Sequence, residues 1–179
     1  VKAHSASDGV TVKHYLVSSG RTQIIEGTKI YKHFANVFAS EYWFDAYDLP
    51  FPKRVITDTG KTQYLFRINK GIEDLGQSIN SHMSEDARPI PFSNMIYFGD
   101  GETDVPSMAL LKKNGGHAIA VHEPKGSAEK CIDLFKARRC DFYAGADYLR
   151  GSDLFKRTTL LLDRMLADIR VKEEMSGLG

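Results

Sequence analysis

Short β-branched and aromatic runs alternate with segments of helical spacing along this 179-residue chain. Residues 10–17, Val-Thr-Val-Lys-His-Tyr-Leu-Val, predict a strand, because branched and aromatic side chains pack well on a pleated surface. Ser18-Ser19-Gly20 breaks it. Ile24, Ile25, Thr28, Tyr31 and Phe34 then recur at helical spacing and predict a helix over 21–35. Residues 37–44 predict the next strand. Pro50 and Pro52 make 45–58 a loop or an edge hairpin, since proline cannot donate to an inner ladder. Thr59-Gly60 leads into a helix over 61–69 with Tyr64, Leu65 and Ile68 facing inward, and the turn-rich stretch 71–93 predicts a short helix followed by a surface loop.

The second half repeats the alternation. Residues 94–98, Asn-Met-Ile-Tyr-Phe, read as a strand buried on both faces. A helix over 105–114 carries Pro106 in its first turn, where a missing N–H costs little, and Gly115-Gly116 stops it. A strand over 117–121, a helix over 127–139 and a short strand over 142–144 follow. A long helix over 152–169 buries Leu154, Phe155, Thr158, Leu161, Leu162, Met165 and Ile169, and the tail after Arg170 reads as frayed. Such alternation predicts a single α/β domain over 1–179, a doubly wound and mainly parallel sheet with helices on both faces. Ligands of these sheets bind beyond the carboxyl ends of the strands. Ser18-Ser19-Gly20 and Gly99-Asp100-Gly101 both fall at such ends, which predicts one shared crevice.

Composition narrows the function without naming it. Hydrophobic residues make up 42% and charged residues 26%, the balance of a soluble globular protein. A formal net charge of +1 leaves no broad footprint for nucleic acid or for an anionic membrane, so neither is expected as a partner. No apolar run approaches the roughly 20 residues that span a bilayer, and Val1 to Gly9 lack the apolar centre of a signal peptide. Cys131 and Cys140 form no disulfide framework and no zinc set; they read as reduced thiols of a cytoplasmic protein.

Three motifs carry candidate chemistry. In Gly99-Asp100-Gly101-Glu102-Thr103-Asp104, three carboxylates fall within five residues directly after a buried strand. Hard oxygen ligands of this kind suit Mg2+, which takes one or two carboxylates and keeps waters for a phosphate. The bland alternative is an acidic turn with Asp104 as a helix N-cap, worth about 1 kcal/mol. Ser18, Ser19 and Gly20 offer a hydroxyl and backbone N–H groups where a helix is predicted to begin, an arrangement that binds anions; an ordinary N-cap is the alternative. Lys61 opens a helix, where its charge opposes the helix dipole, so a functional ammonium competes with a solvated surface lysine. Lys70 is the competing lysine. The six histidines show no ligand spacing, and His117 and His122 read as structural. Trp43, between Tyr42 and Phe44, reads as core or interface, and Asp147 as a turn or cap.

A small hydroxyl ending one strand, a lysine opening a later helix, and Gly-Asp-Gly-x-Thr-Asp-x-Pro resemble, in that order, the haloacid dehalogenase (HAD) superfamily of phosphatases and related hydrolases. The resemblance covers roughly residues 10–150; the acidic motif is fairly specific, while the Ser and Lys matches are weak alone. It implies a HAD-like Rossmannoid core and phosphoryl transfer to an aspartate nucleophile. Ser18, Ser19, Gly20 and Lys61 would hold the phosphate of a phosphorylated small molecule. Ser18 and Lys61 would serve catalysis, and Asp100 and Asp104 would bind Mg2+, which neutralises charge as the phosphoryl group moves.

One departure is large. The superfamily's nucleophile lies in an Asp-x-Asp motif on the first core strand, between the Ser18 and Asp100 strands. This chain contains no Asp-x-Asp, and Asp8 follows no apolar strand. The expectation is therefore a C-terminal portion lacking its first central strand, inactive alone, with the missing segment or a second chain as partner. A non-catalytic domain that binds a phosphorylated ligand or a protein is the alternative, and an unrelated doubly wound domain of response-regulator type the third.

Overall fold

The computed structural model describes residues 9–178. The opening segment through Asp8, including its signal-peptide reading, lies outside them. Among the described residues six strands form two three-stranded sheets, and the chain divides into two compact units, one of them Lys13–Ile90 and the other built on Pro91–Gly179. The fold is a mixed α/β one with parallel strands in both sheets.

In the first unit β1 (Tyr15–Arg21) runs parallel to β2 (Asn36–Phe44), and β2 pairs antiparallel with β3 (Pro50–Arg54). Of the loop or edge hairpin expected over 45–58, the structure forms the hairpin, with both prolines on an edge strand where a missing donor is tolerated. β1 begins later than the pattern predicts and runs through Ser18-Ser19-Gly20 rather than ending before them. The expected helix over 21–35 shrinks to α1 (Thr22–Glu26) and one 3-10 turn at Tyr31–His33. Gly27 and Thr28 interrupt the pattern, no side chain caps α1, and Ile24 and Ile30 are exposed, so this stripe has no core to pack on. α2 (Lys61–Lys70) packs on β1 and ends at Gly71 in the left-handed conformation that glycine adopts without strain. Phe38 of β2 stacks on Tyr64 of α2 with centroids 4.9 Å apart. The stretch 71–93 forms 3-10 turns at Glu85–Ala87 and Phe92–Asn94 rather than an α-helix. Its first part is held by α2: Arg67 donates to the carbonyls of Ile72, Asp74 and Gln77, and Lys70 to those of Ile79 and Ser81.

The second unit holds β4 (Ile96–Gly99), β5 (His117–His122) and β6 (Phe142–Gly145), all parallel in that order. Helices α3 (Val105–Lys113), α4 (Glu129–Lys136) and α5 (Asp153–Gly177) pack on them. β5 is the buried centre, and Met108, Ala118, Ala120, Cys131 and Cys140 form one core cluster while Ile119, Val121, Ala144, Leu154 and Leu161 form another. Ser152 caps α5 by accepting from the Phe155 N–H. The tail read as frayed continues α5 to Gly177, since Lys172, Glu173, Glu174 and Met175 are good helix formers. β4 is not buried on both faces: it is an edge, and Phe98 is 41% exposed. Among the described residues β1 and β4 each pair with a strand on one side alone.

Candidate functional site

Ser18 sits at a bulge. It pairs with Ala39, yet Arg21 pairs with Ser40, so Ser19 and Gly20 are extra residues pushed out of the β1 ladder. Bulges of this kind re-aim backbone groups and gather beside active sites. The Gly20 N–H donates to Ser18 Oγ at 3.0 Å, which leaves the hydroxyl proton available for another acceptor. A side chain at Gly20 would bring its Cβ to 3.1 Å from Ser18 Oγ, so a glycine suits the turn. The anion site expected from a helix N-terminus is corrected here: α1 has five residues and no capped start, so any oxyanion contact comes from the bulge, not from a helix end.

Lys61 is the first residue of α2 and only 6% exposed. Lysine is rarely buried this far unless its ammonium has a task or a partner. Its backbone N–H donates to the carbonyls of Thr57 and Asp58, fixing the start of the helix. Lys70, the competitor, is committed to two loop carbonyls, at 2.6 Å from Ile79 O and 2.8 Å from Ser81 O. Lys70 thus ties down a loop, while Lys61 is buried at the start of α2. Ser18, Ser19, Gly20 and Lys61 all belong to the first unit.

Asp100 and Asp104 belong to the second unit. The loop after β4 turns through Gly99 and Gly101 into a 3-10 turn, Glu102–Asp104, that runs into α3. Gly99 is required by packing: a Cβ there would stand 2.5 Å from Met108 Cε and 2.6 Å from Asp104 Cβ. Asp104 is 4% exposed and turned inward. Its Oδ1 accepts from the Tyr97 hydroxyl at 2.6 Å and its Oδ2 from the Asp100 N–H at 3.1 Å. Burial, and then the bond to Asp104, raise the Tyr97 phenol far above its ordinary value, so it stays a donor. Asp104 makes no side-chain cap at the start of α3; its carboxylate organises the loop instead. Asp100 itself is exposed.

These geometries test the metal expectation. Among the described residues no group of three or more His, Cys, Asp or Glu converges to hold an ion. Mg2+ does not require one, because it binds through one or two carboxylates and completes its shell with water and phosphate. The Asp100 carboxylate suits that role, with its backbone pinned by Asp104 behind it. Glu102 is engaged by Lys130 at 3.1 Å. Tyr97 was missed by sequence reasoning; its one signal is that it lies two residues before Gly99 and so shares a strand face with it. Ser107, fully buried on α3 next to the Tyr97 phenol, is a second such residue, and its hydroxyl has no hydrogen-bond partner within bonding geometry.

No family model matches this chain, and no solved structure matches it. A protein of Borreliella burgdorferi, described as an uncharacterized protein, is 31% identical over 163 residues, which cover 80% of this chain and 55% of that protein. The chain thus spans about half the length of the relative it matches. The fold and its loops define a mixed α/β protein with parallel strands, and no described helix is long and apolar enough to cross a membrane.

Proposed function

We propose that this chain is the C-terminal portion of a HAD-like, magnesium-dependent phosphomonoester hydrolase. The observation that carries the reading is the Asp100–Asp104 loop: a buried carboxylate pins the backbone of an exposed one, directly after a parallel strand. A loop so built presents one oriented carboxylate at low reorganisation cost, as metal chemistry on phosphates needs. Within the first unit, the buried Lys61 and the bulge at Ser18 are the residues this reading assigns to phosphate.

In this reading Ser18 donates its hydroxyl proton to a phosphoryl oxygen, and the Lys61 ammonium pairs with the same group's negative charge. The Ser19 N–H would be a further donor, while the Gly20 N–H is spent on Ser18 Oγ and holds that hydroxyl in place. Asp100 would hold Mg2+, with Asp104 ligating directly or through water while fixing the loop. The ion, when bound, neutralises charge on the transferring group. The aspartate nucleophile belongs to a segment outside this sequence, which contains no Asp-x-Asp. Two features favour such a segment: β1 and β4 each keep an unpaired edge among the described residues, and the matched relative is nearly twice as long as the aligned region. Unpaired backbone groups that become buried cost about 1–3 kcal/mol each, so a strand that satisfies them is favoured.

The absence of Asp-x-Asp also favours a second reading, a domain that binds a phosphorylated ligand without turning it over. The test is the reading frame upstream of Val1 and a phosphatase assay with magnesium. An upstream Asp-x-Asp with turnover only in the extended polypeptide supports the hydrolase. Binding without turnover in every extended form supports the second reading.

A further inference from the structure

A cavity of about 390 Å³ lies in the first unit between the end of β3 and one face of α2. Gln63, Tyr64 and Arg67 line it from the helix, where i, i+3 and i+4 spacing puts them on one side. Lys53 and Arg54 line it from β3, and Val55 and Leu75, both exposed, give it an apolar wall. Neither Ser18 nor Lys61 borders it, so it is separate from the residues assigned to phosphate.

Three cations line this one cavity, and they are not equally neutralised. Glu41 pairs with Lys53 at 2.8 Å and with Arg54 at 3.3 Å, and Arg54 Nε donates to Ala39 O at 2.8 Å. Arg67 differs from both. It is 7% exposed, and its side-chain hydrogen bonds all fall on Nη1, which donates to Ile72 O at 3.2 Å, Asp74 O at 2.8 Å and Gln77 O at 3.1 Å. Its Nε is buried with no hydrogen-bond partner. Among the described residues no carboxylate pairs with Arg67. The carboxylate on the loop it holds, that of Asp74, is turned to the Gly76 N–H at 2.9 Å and to Gln77 Nε2 at 3.4 Å. A buried charge without a counter-charge is costly, as is a buried donor without an acceptor. Nε and Nη2 together form the planar fork that grips a carboxylate side on. Burial raises the Tyr64 phenol while Arg54 and Arg67 pull it back, which sets both guanidinia near a hydroxyl that can also donate.

We propose that this cavity binds a small organic monocarboxylate, gripped by the Nε–Nη2 edge of Arg67 with Arg54 and Tyr64 beside it. Lys53 and Arg54 already share Glu41, so Arg67 is the cation here without an anion. One uncompensated charge and one planar fork match a singly charged, planar anion better than a phosphate dianion. Val55 and Leu75 cover a short hydrocarbon tail, which an inorganic anion lacks.

The Arg67 Nε–H gives its own NMR signal, so occupancy is read at the residue that defines the site. The experiment titrates this chain with butyrate, butyramide and inorganic phosphate and follows that signal together with the backbone amides. Butyrate is expected to shift the Arg67 Nε–H and the amides of residues 53–55 and 75 saturably, in the millimolar range natural to so small a ligand. Butyramide and inorganic phosphate should bind at least about tenfold more weakly. Arg67→Lys keeps the charge but not the fork and should lose butyrate. Because it also releases the carbonyls of Ile72, Asp74 and Gln77, Leu75→Glu is the second variant. That carboxylate, supplied from an exposed position, should move the Arg67 Nε–H toward its butyrate-bound position with no ligand present and weaken butyrate by about tenfold or more. Butyrate that leaves the Arg67 Nε–H unmoved, or that shifts only the amides of Ser18 to Gly20, overturns the proposal. Butyramide or inorganic phosphate binding as tightly as butyrate overturns the carboxylate class. Leu75→Glu that binds butyrate as tightly as the parent overturns the placement in this cavity.

Discussion

The Tyr97 hydroxyl donates to Oδ1 of Asp104 at 2.6 Å, joining β4 to the start of α3 across the acidic loop. Asp104 then spends its other oxygen on the Asp100 N–H. Removing the phenol in Tyr97→Phe leaves a buried carboxylate one donor short, which costs about 1.5–3 kcal/mol for a hydrogen bond to a charged group. Urea denaturation should show that loss with an unchanged slope. Magnesium affinity, read by calorimetry, should fall as well, because the Asp100 backbone loses its anchor; unchanged stability and affinity would contradict this account of the loop.

Gly99 and Gly101 flank Asp100 but answer to different demands. A Cβ at Gly99 meets Met108 and Asp104 at under 3 Å, whereas one at Gly101 meets nothing within 4 Å. Gly99→Ala is expected to destabilise the chain by about 1–3 kcal/mol through overpacking. Gly101→Ala, at an extended φ of −154°, is expected to stay within about 0.5 kcal/mol of the parent. Thermal or chemical denaturation of the pair distinguishes a packing glycine from a merely permissive one.

The two lysines of α2 should separate functionally. Lys70→Ala frees the carbonyls of Ile79 and Ser81 and should loosen the loop after α2, seen as faster amide exchange over residues 71–81 and a loss of about 1–2 kcal/mol. Phosphate binding should survive. Lys61→Met keeps the buried apolar stem and removes the charge; it should abolish phosphate binding. The reverse outcome would move the phosphate role to Lys70.

Acid should weaken the second unit through His117. Burial pushes this imidazole below its ordinary value near 6.5, against the opposing pull of Asp141. Its Nδ1 lies 3.5 Å from Asp141 Oδ2 without hydrogen-bond geometry, while Lys112 and the Ala118 N–H bond to the same carboxylate. The unfolded chain therefore takes up a proton that the folded chain resists. The full contribution is present above about pH 6.5 and declines as the pH drops from there toward the folded-state value. Asp141 adds nothing in that window: burial pushes its carboxyl up, but the Lys112 and Ala118 bonds outweigh this and hold it low, so its contribution is lost only in stronger acid. Urea midpoints between pH 5 and 8 should fall on the acid side, and His117→Gln should flatten that slope. Parallel profiles for parent and variant would contradict the assignment.

The strands β2, β5 and β6 and the helices α2 to α4 were legible because each has a strong period and a clear stop, such as Gly71 after α2 and Gly115 after α3, and α5 was legible as far as Ile169 but not its continuation to Gly177. The edge hairpin was legible from Pro50 and Pro52. Three features were not. Helical spacing from Ile24 to Phe34 predicted a helix, but period alone cannot say whether a core exists to receive the stripe, and Gly27-Thr28 decides against it. The apolar run of β4 reads as fully buried, yet exposure depends on a strand beside it, which no local pattern encodes. The acidic loop was legible as three carboxylates, but not the division of labour within it. That Asp104 turns inward and Asp100 outward follows from Tyr97, seven residues away and silent in any spacing argument. The buried state of Lys61, likewise, is set by tertiary packing rather than by its neighbours in sequence.

The central claim, magnesium-dependent hydrolysis of phosphomonoesters with Asp100 on the ion, is tested most directly by turnover of p-nitrophenyl phosphate. The measurement compares a polypeptide extended upstream of Val1 with its Asp100→Asn variant while magnesium is titrated. The account predicts saturable magnesium dependence in the parent. It also predicts a fall of about 100-fold or more in the variant, since even the outer partners of metal ligands contribute about 10–100-fold. Turnover that ignores magnesium, or that survives Asp100→Asn undiminished, would contradict it.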